Sequence, residues 1–386
     1  MKRTYSAESV CCGHPDKIAD LISDTILDEC LADDPNSRVA CEVMLAHNKC
    51  FISGEITTKA KVDYVQVAKN VMCYVGLDPN SIEYECRIHE QSGDISQAVN
   101  KEEICAGDQS IVYGYAIKET KSYMPLPIVL AHRLAARLED CRRNRIINGL
   151  LPDGKALVSV DYEDKVLLGI STIIISAQHE EDKSIAELRR EIKKHVIDYV
   201  CEHFNLARTA IFINPSGRFV LGGFEADTGL TGRKIIVDTY GGRAHHGGGA
   251  FSGKDASKVD RSGAYLARYI AKNIVASGLS RECEVTLTYA IGQQEPVNVD
   301  VNTFGTGEFD DDFIVNVVKE AFDLSVDGSI KSLGLTEPIY CHTSVYGHFG
   351  KAFLPWEKID KVNDIKEAIN KVQGFEQLNL FDFKED

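Results

Sequence analysis

The segment from Tyr240 to Arg261 constrains this chain most, because it joins conformational freedom to charge of both signs. Six of the fourteen residues from 240 to 253 are glycines. Glycine adopts φ > 0 without strain, so successive backbone N–H groups can point at one anion. The charged residues that follow are Lys254, Asp255, Lys258 and Asp260. Lysines supply mobile positive charge, and carboxylates supply the oxygen ligands that Mg²⁺ prefers. The segment therefore predicts a loop that binds a polyphosphate together with its metal.

An ordinary phosphate-binding P-loop is the first alternative for this segment. The spacing from Gly248 to Gly253 and Lys254 matches most of that pattern, but Asp255 stands where Ser or Thr would bind Mg²⁺. Nine residues separate Gly248 from the apolar run 234–238, which we interpret as a strand. We therefore exclude an ordinary P-loop nucleoside triphosphatase. A merely flexible glycine-rich loop stays open as a second alternative.

Length and composition indicate a soluble protein of several domains. The 386 residues exceed what one hydrophobic core usually fills, so two or three domains are expected. Hydrophobic residues make up 44% of the chain and charged residues 26%, which is ordinary for a globular protein. We find neither an apolar run of about 18 residues nor a basic, apolar leader at Met1. We therefore expect no membrane association and a cytoplasmic location.

The net charge argues against nucleic-acid binding, and the cysteine spacing argues against zinc sites and disulfides. The formal net charge of −15 argues against nucleic acid as a partner, since such binding needs a basic face. A local cluster of Lys and Arg in so acidic a chain is expected to serve a particular anion. The 12 cysteines are scattered, apart from Cys11 and Cys12, and form no C-x-x-C pair. Neither a zinc site nor a disulfide framework is therefore expected.

One order of elements occurs three times along the chain. Each unit is predicted to hold a helix, two strands, a second helix and a final strand. The predicted ranges are 16–30, 39–44, 50–57, 62–75 and 83–89; 128–147, 156–162, 166–178, 184–204 and 209–214; and 261–277, 282–291, 297–303, 311–322 and 339–345. The repeat predicts an α+β fold of three structurally similar, α/β-sandwich-like domains with pseudo-threefold symmetry, at 1–100, 101–223 and 224–386. Sheets that are covered on one face leave apolar surface, which favours self-association.

A second motif precedes the first predicted helix. Pro15 suits the first helical position, so His14 is expected at the helix start and Asp16 and Lys17 in its first turn. Free N–H donors and the positive end of the helix dipole favour phosphate at this place, while Asp16 is suited to hold a metal. The plain alternative is a capped helix start with an incidental histidine.

Six short motifs occur in a fixed order: Gly13-His-Pro-Asp-Lys17, Ser53-Gly-Glu-Ile-Thr57, Ala106-Gly-Asp-Gln109, Asn214-Pro-Ser-Gly-Arg-Phe219, Gly229-Leu-Thr-Gly-Arg-Lys234 and Gly247-Gly-Gly-Ala-Phe-Ser-Gly-Lys-Asp255. In this order they resemble the S-adenosylmethionine synthetase (methionine adenosyltransferase) family, from about Ser6 to Lys358. The resemblance implies three related α+β domains and active sites between the subunits of a dimer or tetramer. It also implies conversion of ATP, L-methionine and water to S-adenosylmethionine, pyrophosphate and phosphate, with a pair of Mg²⁺ ions and K⁺. In that reaction the methionine sulfur attacks C5′ of ATP, and the expelled triphosphate is then hydrolysed.

The same resemblance implies roles for individual residues. The catalytic residues are expected to be His14, Lys155, Arg233 and Lys254. ATP is expected to contact His14, Asp153, Lys155, Arg218, Phe219, Asp227, Arg233, Lys234, Ala250 and Lys254. Methionine is expected to contact Glu55, Gln97, Asp108, Asp227 and Lys258. The metal ligands are expected to be Asp16 and Asp260 for Mg²⁺ and Glu42 for K⁺.

Several of these residues have simpler interpretations. Glu55 could belong to a hairpin, and Asp227 lies in a good turn sequence. Arg233 and Lys234 could be surface charge that opens a strand. The adjacent histidines at 245–246 are not expected to bind zinc, because neighbouring side chains point apart.

The chain also departs from the family pattern. Cys105 and Ser110 stand where the family has glycines, and the segment 98–104 looks shorter than the loop that gates the family's site. Fewer glycines at a hinge would restrict loop closure. We therefore hypothesise a working but divergent synthetase, whose loop-limited turnover rises when both residues are replaced by glycine. The pair Cys11 and Cys12, beside the first motif, further suggests an oxidant-sensitive site.

Two other functions stay open at this point. A catalytically weak or silent paralogue, which binds nucleotide and regulates an active synthetase, would keep the fold. The presence of all the predicted phosphate-binding cations argues against it. A kinase or ATPase would use the same glycine-rich loop but would direct attack at phosphorus, and it would release ADP.

Overall fold

Three β-sheets with helices packed on them form an α+β fold, which confirms the predicted fold class. The structure, a computed structural model, describes residues 1–90 and 104–382, and the side chains of the last helix up to 374. The strands are β1 (Lys2–Val10), β2 (Arg38–Ala46), β3 (Lys49–Thr57), β4 (Glu83–His89), β5 (Ser110–Ile117), β6 (Leu150–Glu163), β7 (Val166–His179), β8 (Ala210–Ile213), β9 (Gly229–Leu230), β10 (Glu282–Tyr289) and β11 (Asn298–Asn302). The α-helices are α1 (Pro15–Asp33), α2 (Tyr64–Val75), α3 (Leu126–Arg143), α4 (Ile185–Ile192), α5 (Asp198–Val200), α6 (Ile235–Asp238), α7 (Val259–Ser277), α8 (Asp311–Ala321), α9 (Val326–Ser332) and α10 (Val362–Asp382).

Each sheet combines strands from separate stretches of the chain. One sheet has the order β4-β3-β2-β9, in which β2 and β3 are antiparallel and β3 and β4 are parallel. A second has the order β1-β6-β7-β8, with Lys2 opposite Glu163 and Val10 opposite Lys155. The third has the order β11-β10-β5. Strands β1 and β5 therefore link regions that lie far apart in the sequence.

The helices bury the apolar faces of these sheets in two cores. Helix α1 packs on β2, α3 on β1 and β6, and α7 on β5 and β10. The larger core joins the sheets of β2 and β10 and includes Ile22 and Ile270, while the smaller core under β6 includes Leu134 and Val158. Burying each such side chain contributes about 1.5–3 kcal/mol. Among the helices of the described ranges, none has the length and apolar character that a membrane span requires.

Two of the strand predictions are wrong, because tertiary contacts determine the backbone conformation of these two segments. The segment 234–238 contains the short helix α6. The backbone N–H of Asp238, at its end, donates to the carbonyl of Lys234, just before its start, at 2.9 Å. The segment 339–345 contains no regular strand. Two of its backbone N–H groups donate instead to the carboxylate of Asp28, at 2.8 and 2.7 Å. Their hydrogen bonds therefore go to a helix side chain rather than to a neighbouring strand.

Three further differences concern helix length and missed strands. The predicted helix 184–204 ends at Val200, after a π-helical turn at Lys193–Ile197. Strands β1 and β5 have no counterpart in the prediction, because each is completed by a partner that is distant in sequence. The pairing that makes them strands is therefore not encoded locally.

Helix α1 carries an aspartate row, one residue per turn, which fixes loops of the C-terminal half of the chain. The row consists of Asp16, Asp20, Asp24 and Asp28. Residues four apart lie on one face of a helix. Their carboxylates accept, in order, the backbone N–H groups of Leu230, Gly232, Gly253 and both Tyr340 and Cys341, at 2.9, 2.8, 2.8, 2.8 and 2.7 Å.

Candidate active site

His14 caps the N-terminus of α1, and Pro15 occupies the first helical position, as the sequence predicts. His14 Nδ1 accepts the backbone N–H of Asp16 at 3.2 Å. This bond leaves the proton of the neutral ring on Nε2, where it can be donated to a ligand. Burial, followed by the positive charges of Lys234 and Lys155, lowers the pKa of His14 to about 3. The ring is therefore neutral at physiological pH.

The lowered pKa of His14 predicts how stability changes with pH in the protein without ligands. The unfolded chain protonates this residue near pH 6.5, whereas the folded chain does so only near pH 3. The contribution of His14 to the free energy of folding is thus present above pH 6.5 and is lost as the pH falls toward 3. We expect the variant His14→Gln to lose stability less steeply in this window. Urea unfolding at a series of pH values measures the slope, and equal slopes for both proteins would contradict the expectation.

The carboxylate of Asp16 is buried beneath two cations. Lys234 Nζ donates to Asp16 Oδ2 at 2.6 Å, and Arg233 Nε lies 3.7 Å from Oδ1. The backbone N–H of Leu230 also donates to Oδ1, at 2.9 Å. Burial acts to raise the pKa of Asp16, but the bonds from Lys234 and Leu230 outweigh it and keep that pKa below its usual value. We call His14, Asp16, Arg233 and Lys234 the helix-start group.

Strand β6 places two more of the predicted ATP residues beside this group. Lys155 is paired with Val10 of β1, and its charge contributes to the lowered pKa of His14. Asp153 is buried, and its Oδ2 accepts the backbone N–H of Gly223 at 2.9 Å. Within the described residues its Oδ1 is buried without a hydrogen-bond partner, and burial raises the pKa of the carboxyl group. This oxygen can therefore accept a hydrogen bond from a ligand.

The remaining predicted nucleotide residues follow β8. The backbone N–H of Phe219 donates to His179 Nε2 at 3.1 Å, which ties this loop to the end of β7. Arg218 is exposed and contacts Glu181. Asp227 is exposed, and its backbone N–H donates to the carbonyl of residue 223, as expected of a turn. The structure thus gathers these residues near β6 and β7.

A second group lies at the glycine-rich loop and the start of β5. Lys254 Nζ donates to Asp260 Oδ2 at 2.7 Å, and Ser110 Oγ donates to Asp260 Oδ1 at 2.6 Å. We call Ser110, Lys254 and Asp260 the loop group. Ser110 begins a strand, and neither it nor Cys105 has a positive φ. The hydroxyl of Ser110 thus holds a predicted metal ligand, and the hinge hypothesis stays a prediction.

Close packing explains two of the glycines in the loop. A Cβ on Gly253, where φ is +79°, would lie 2.0 Å from the carbonyl oxygen of Cys41. A Cβ on Gly249 would lie 2.3 Å from Asp260 Cγ. The backbone N–H of Cys41 donates to the carbonyl of Gly253 at 2.9 Å. These glycines therefore let the loop lie against β2 and against the carboxylate of Asp260.

Asp255 and Lys258 form an ion pair next to the loop group. Lys258 Nζ contacts Asp255 Oδ2, which also accepts the backbone N–H of Val39 at 2.7 Å. Asp255 Oδ1 accepts the backbone N–H of Ser257 at 2.9 Å. Both oxygens of Asp255 are thus engaged within the chain. Its carboxylate therefore anchors the loop on β2.

The predicted methionine and potassium residues are more exposed. Glu55 lies within β3, and its Oε1 is 3.1 Å from Nε2 of the histidine that ends β4. Glu42 is exposed on β2. Asp108 is exposed, and its Oδ1 accepts the N–H of the next residue at 2.7 Å. Gln97 and most of the segment 98–104 lie outside the described residues.

The helix-start group and the loop group remain separate within one chain. In the ranges that the structure describes, no hydrogen bond or ion pair joins them. Their loops meet at Ala250, another predicted ATP residue, since a Cβ added to Gly232 would lie 2.5 Å from the Ala250 Cβ. Each group thus presents one carboxylate and at least one lysine on its own.

The two carboxylates fit a metal that is bound together with phosphate. Among the described residues, no three His, Cys, Asp or Glu side chains gather to hold a metal by themselves. Mg²⁺ in nucleotide sites commonly uses one or two carboxylates, with water and substrate phosphates completing its shell. Asp16 and Asp260 are carboxylates of this kind, and each has a lysine at hydrogen-bond distance.

Two contributors to the site were missed from the sequence. Ser110 was interpreted only as a lost glycine, and nothing local indicates its bond to Asp260, because the two residues meet only after folding. The aspartate row of α1 was considered only at Asp16 and Lys17. Its signal was available, since an aspartate every fourth residue within an otherwise apolar helix face indicates buried partners.

The cysteines near His14 are predicted to be unreactive, contrary to the sequence-based suggestion. Cys11 and Cys12 are each 2% exposed. Burial, followed by the negative charge of Glu139, raises the pKa of Cys12 to about 12 and also raises that of Cys11. We expect iodoacetamide near neutral pH to label the exposed Cys73 but not these two. Mass spectrometry of the labelled native protein measures this, and fast labelling of either buried thiol would refute it.

Comparison with known proteins covers nearly the whole chain. Models of the S-adenosylmethionine synthetase N-terminal, central and C-terminal domains match residues 2–102, 103–219 and 221–358. Proteins named S-adenosylmethionine synthase from two strains of Staphylococcus epidermidis are each 51% identical over 392 residues, covering 95% of this chain and 98% of the relative. The resemblance inferred from the six motifs is thereby confirmed. The chain belongs to the S-adenosylmethionine synthetase family.

Proposed function

We propose that the protein is a methionine adenosyltransferase, which converts ATP, L-methionine and water to S-adenosylmethionine, pyrophosphate and phosphate. The observation that carries this proposal is the helix-start group. A neutral histidine and two cations surround a buried carboxylate at the positive end of α1, in a chain whose net charge is −15. The names of its relatives support the same activity.

His14 is suited to contact the oxygen that leaves C5′. Its Nδ1 is occupied by the backbone N–H of Asp16, so the Nε2 proton is available to that oxygen or to a neighbouring phosphate. The sulfur lone pair forms the S–C5′ bond while the C5′–O bond breaks, and the electron pair stays on the triphosphate. A hydrogen bond from His14 stabilises the negative charge that develops there.

The expelled triphosphate needs positive charge that is already in place. Lys234 and Arg233 are held at Asp16, Lys155 lies nearby on β6, and Lys254 belongs to the loop group. Preorganised groups of this kind typically contribute about 100- to 1,000-fold each to the rate. Asp16 and Asp260 would hold Mg²⁺, which when bound neutralises phosphate charge, and Glu42 is the proposed K⁺ ligand.

The remaining residues are proposed to bind the two substrates. Asp153 Oδ1 can accept a hydrogen bond from a ribose hydroxyl, and Phe219, next to Arg218, offers a flat apolar face to adenine. Carboxylates suit the ammonium of methionine and the developing sulfonium, since both are cationic. The proposed methionine contacts are Glu55, Gln97, Asp108, Asp227 and Lys258.

We further propose that the active site forms between two copies of the chain. The helix-start group and the loop group each hold part of the required charge, and one chain leaves them unjoined. Several strands also expose large apolar side chains, which association would cover. Examples on β2, β5, β7 and β8 are Met44, Ile111, Leu167 and Phe212.

Product analysis tests the proposed reaction. Purified protein is incubated with ATP, methionine, Mg²⁺ and K⁺, and all adenosine and phosphate products are separated by chromatography. We expect S-adenosylmethionine with pyrophosphate and phosphate. Release of ADP would indicate a kinase or ATPase instead. ATP binding without any product would favour the regulatory paralogue.

Mixing two inactive variants tests where the site forms. His14→Ala damages the helix-start group, and Lys254→Met damages the loop group. If each site takes one group from each copy, a hybrid dimer contains one doubly damaged site and one intact site. We expect mixed and reassociated subunits to regain activity that neither variant has alone. No recovery in demonstrated hybrids would place the whole site within one chain.

A further inference from the structure

Lys17 follows Asp16 directly, yet the proposed chemistry gives it no role. Its side chain has no exposed surface. Its Nζ donates to Asp20 Oδ2 at 2.8 Å and also contacts the carboxylate of Asp238. Burial acts to lower the pKa of Lys17, but these two carboxylates outweigh it and raise that pKa. The buried ammonium group is therefore charged and is shared between two acidic side chains.

Both carboxylates lead to the segment that carries the cations of the helix-start group. Asp20 Oδ1 accepts the backbone N–H of Gly232 at 2.8 Å, directly before the two cationic residues. Asp238 is the last residue of α6, which begins directly after them. Lys17 is thus connected to both ends of the segment 232–238.

We propose that Lys17 is a positioning residue, which fixes the segment 232–238 through its two carboxylates and so presents both cations of the helix-start group to the triphosphate. One end of the segment is held by Asp20, which Lys17 contacts, and the other end by the contact of Lys17 with Asp238. Its middle is held by the bond between Lys234 and Asp16. Three links from a single turn of α1 therefore set the position of two phosphate-binding side chains. This inference rests on the proposed function.

In the part of the chain that the structure describes, no other side chain donates a hydrogen bond to the carboxylate of Asp238. In the described residues, His348 Nε2 lies 3.8 Å from Asp238 Oδ1, but burial, together with nearby cations, lowers the pKa of His348 and leaves it neutral. Lys351 Nζ donates to two backbone carbonyls, each at 2.7 Å. Burial already raises the pKa of Asp238 to about 7 with Lys17 in place. Without Lys17, the end of α6 would lose its charged anchor.

Two variants that break the same link test the proposal. Lys17→Met and Asp238→Asn each remove one partner while nearly keeping side-chain volume. Calorimetry with inorganic tripolyphosphate and Mg²⁺ gives a dissociation constant, and the synthesis assay gives KM for ATP and for methionine. We expect tripolyphosphate to bind about 10- to 100-fold more weakly and KM for ATP to rise, with KM for methionine within about twofold of wild type. The double variant should lose about as much as a single one, because one link is removed in each case.

Asp28→Asn is the matched control, since it alters another buried member of the aspartate row that contacts a different loop. It is expected to lower the melting temperature without changing tripolyphosphate binding. If Lys17→Met does not fold, Asp238→Asn decides alone. Folded variants that bind tripolyphosphate as tightly as wild type would overturn the inference. Wild type that binds tripolyphosphate but makes no S-adenosylmethionine would overturn the proposed function instead, and absent binding would contradict both.

Discussion

The variant Asp16→Asn is expected to form S-adenosylmethionine about 100- to 1,000-fold more slowly than wild type at saturating substrates. The neutral amide removes the charged partner of Lys234, now 2.6 Å away, and weakens the attraction on Arg233. It also removes a carboxylate that is proposed to hold Mg²⁺. Initial rates over a range of Mg²⁺ concentrations measure the effect. More metal should restore only a small part of the rate.

A control variant separates this effect from the general loss of a helix-start charge. Glu187 occupies the first turn of α4, is 48% exposed, and lies 3.7 Å from a lysine. Glu187→Gln is expected to keep the wild-type rate within about twofold. A folded Asp16→Asn protein that loses less than about tenfold would show that Asp16 is only a structural anchor for the loop at residue 230.

The variant Arg261→Met is expected to lower the free energy of unfolding by about 3–5 kcal/mol. The guanidinium donates to both oxygens of Asp24, at 2.7 and 3.0 Å, and both side chains are 0% exposed. Removing it leaves a buried carboxylate without its countercharge. Asp24 also accepts the backbone N–H of Gly253, so the glycine-rich loop should loosen together with the core.

The fluorescence of the single tryptophan measures the free energy of unfolding of Arg261→Met. Trp356 is fully buried, and its ring is stacked on Tyr265 at 3.7 Å. Its fluorescence should therefore report unfolding in urea, with stability taken from a shift of the midpoint at unchanged slope. Lys371→Met is the control, because its pair with Glu320 is exposed and an exposed ion pair contributes little to stability. A shift for Arg261→Met no larger than the control's would contradict the expectation.

The fold could be predicted from sequence where local signals suffice. Helix α1 was expected from residue 16 and begins at Pro15, because proline and apolar spacing mark the start together. Strand β1 could not be predicted in this way, since its partner β6 lies far along the chain and pairs Lys2 with Glu163. The segment 234–238 was interpreted as a strand because its apolar run fits either element. Its backbone becomes helical where Lys17 binds its last residue.

The candidate site shows the same limit. The motifs indicated which residue types gather, and the structure brings His14, Asp16, Arg233 and Lys234 together. The pairings themselves depend on distant elements, as with Ser110 on Asp260, and no spacing within a motif encodes them. The effect of a substitution that departs from the family pattern therefore depends on the residue that it contacts in the folded chain.

The aspartate row also limits how the chain can vary in length. Three segments of the chain depend on four carboxylates that are spaced by one helical turn, from Asp16 to Asp28. One residue inserted into α1 would rotate every later carboxylate by about 100° and shift it by about 1.5 Å along the axis. All the later anchors would then miss their N–H groups at once. A single substitution in the row removes one anchor, whereas an insertion or deletion displaces all the later ones. The number of residues in this helix therefore fixes the position of loops more than 200 positions further along the chain.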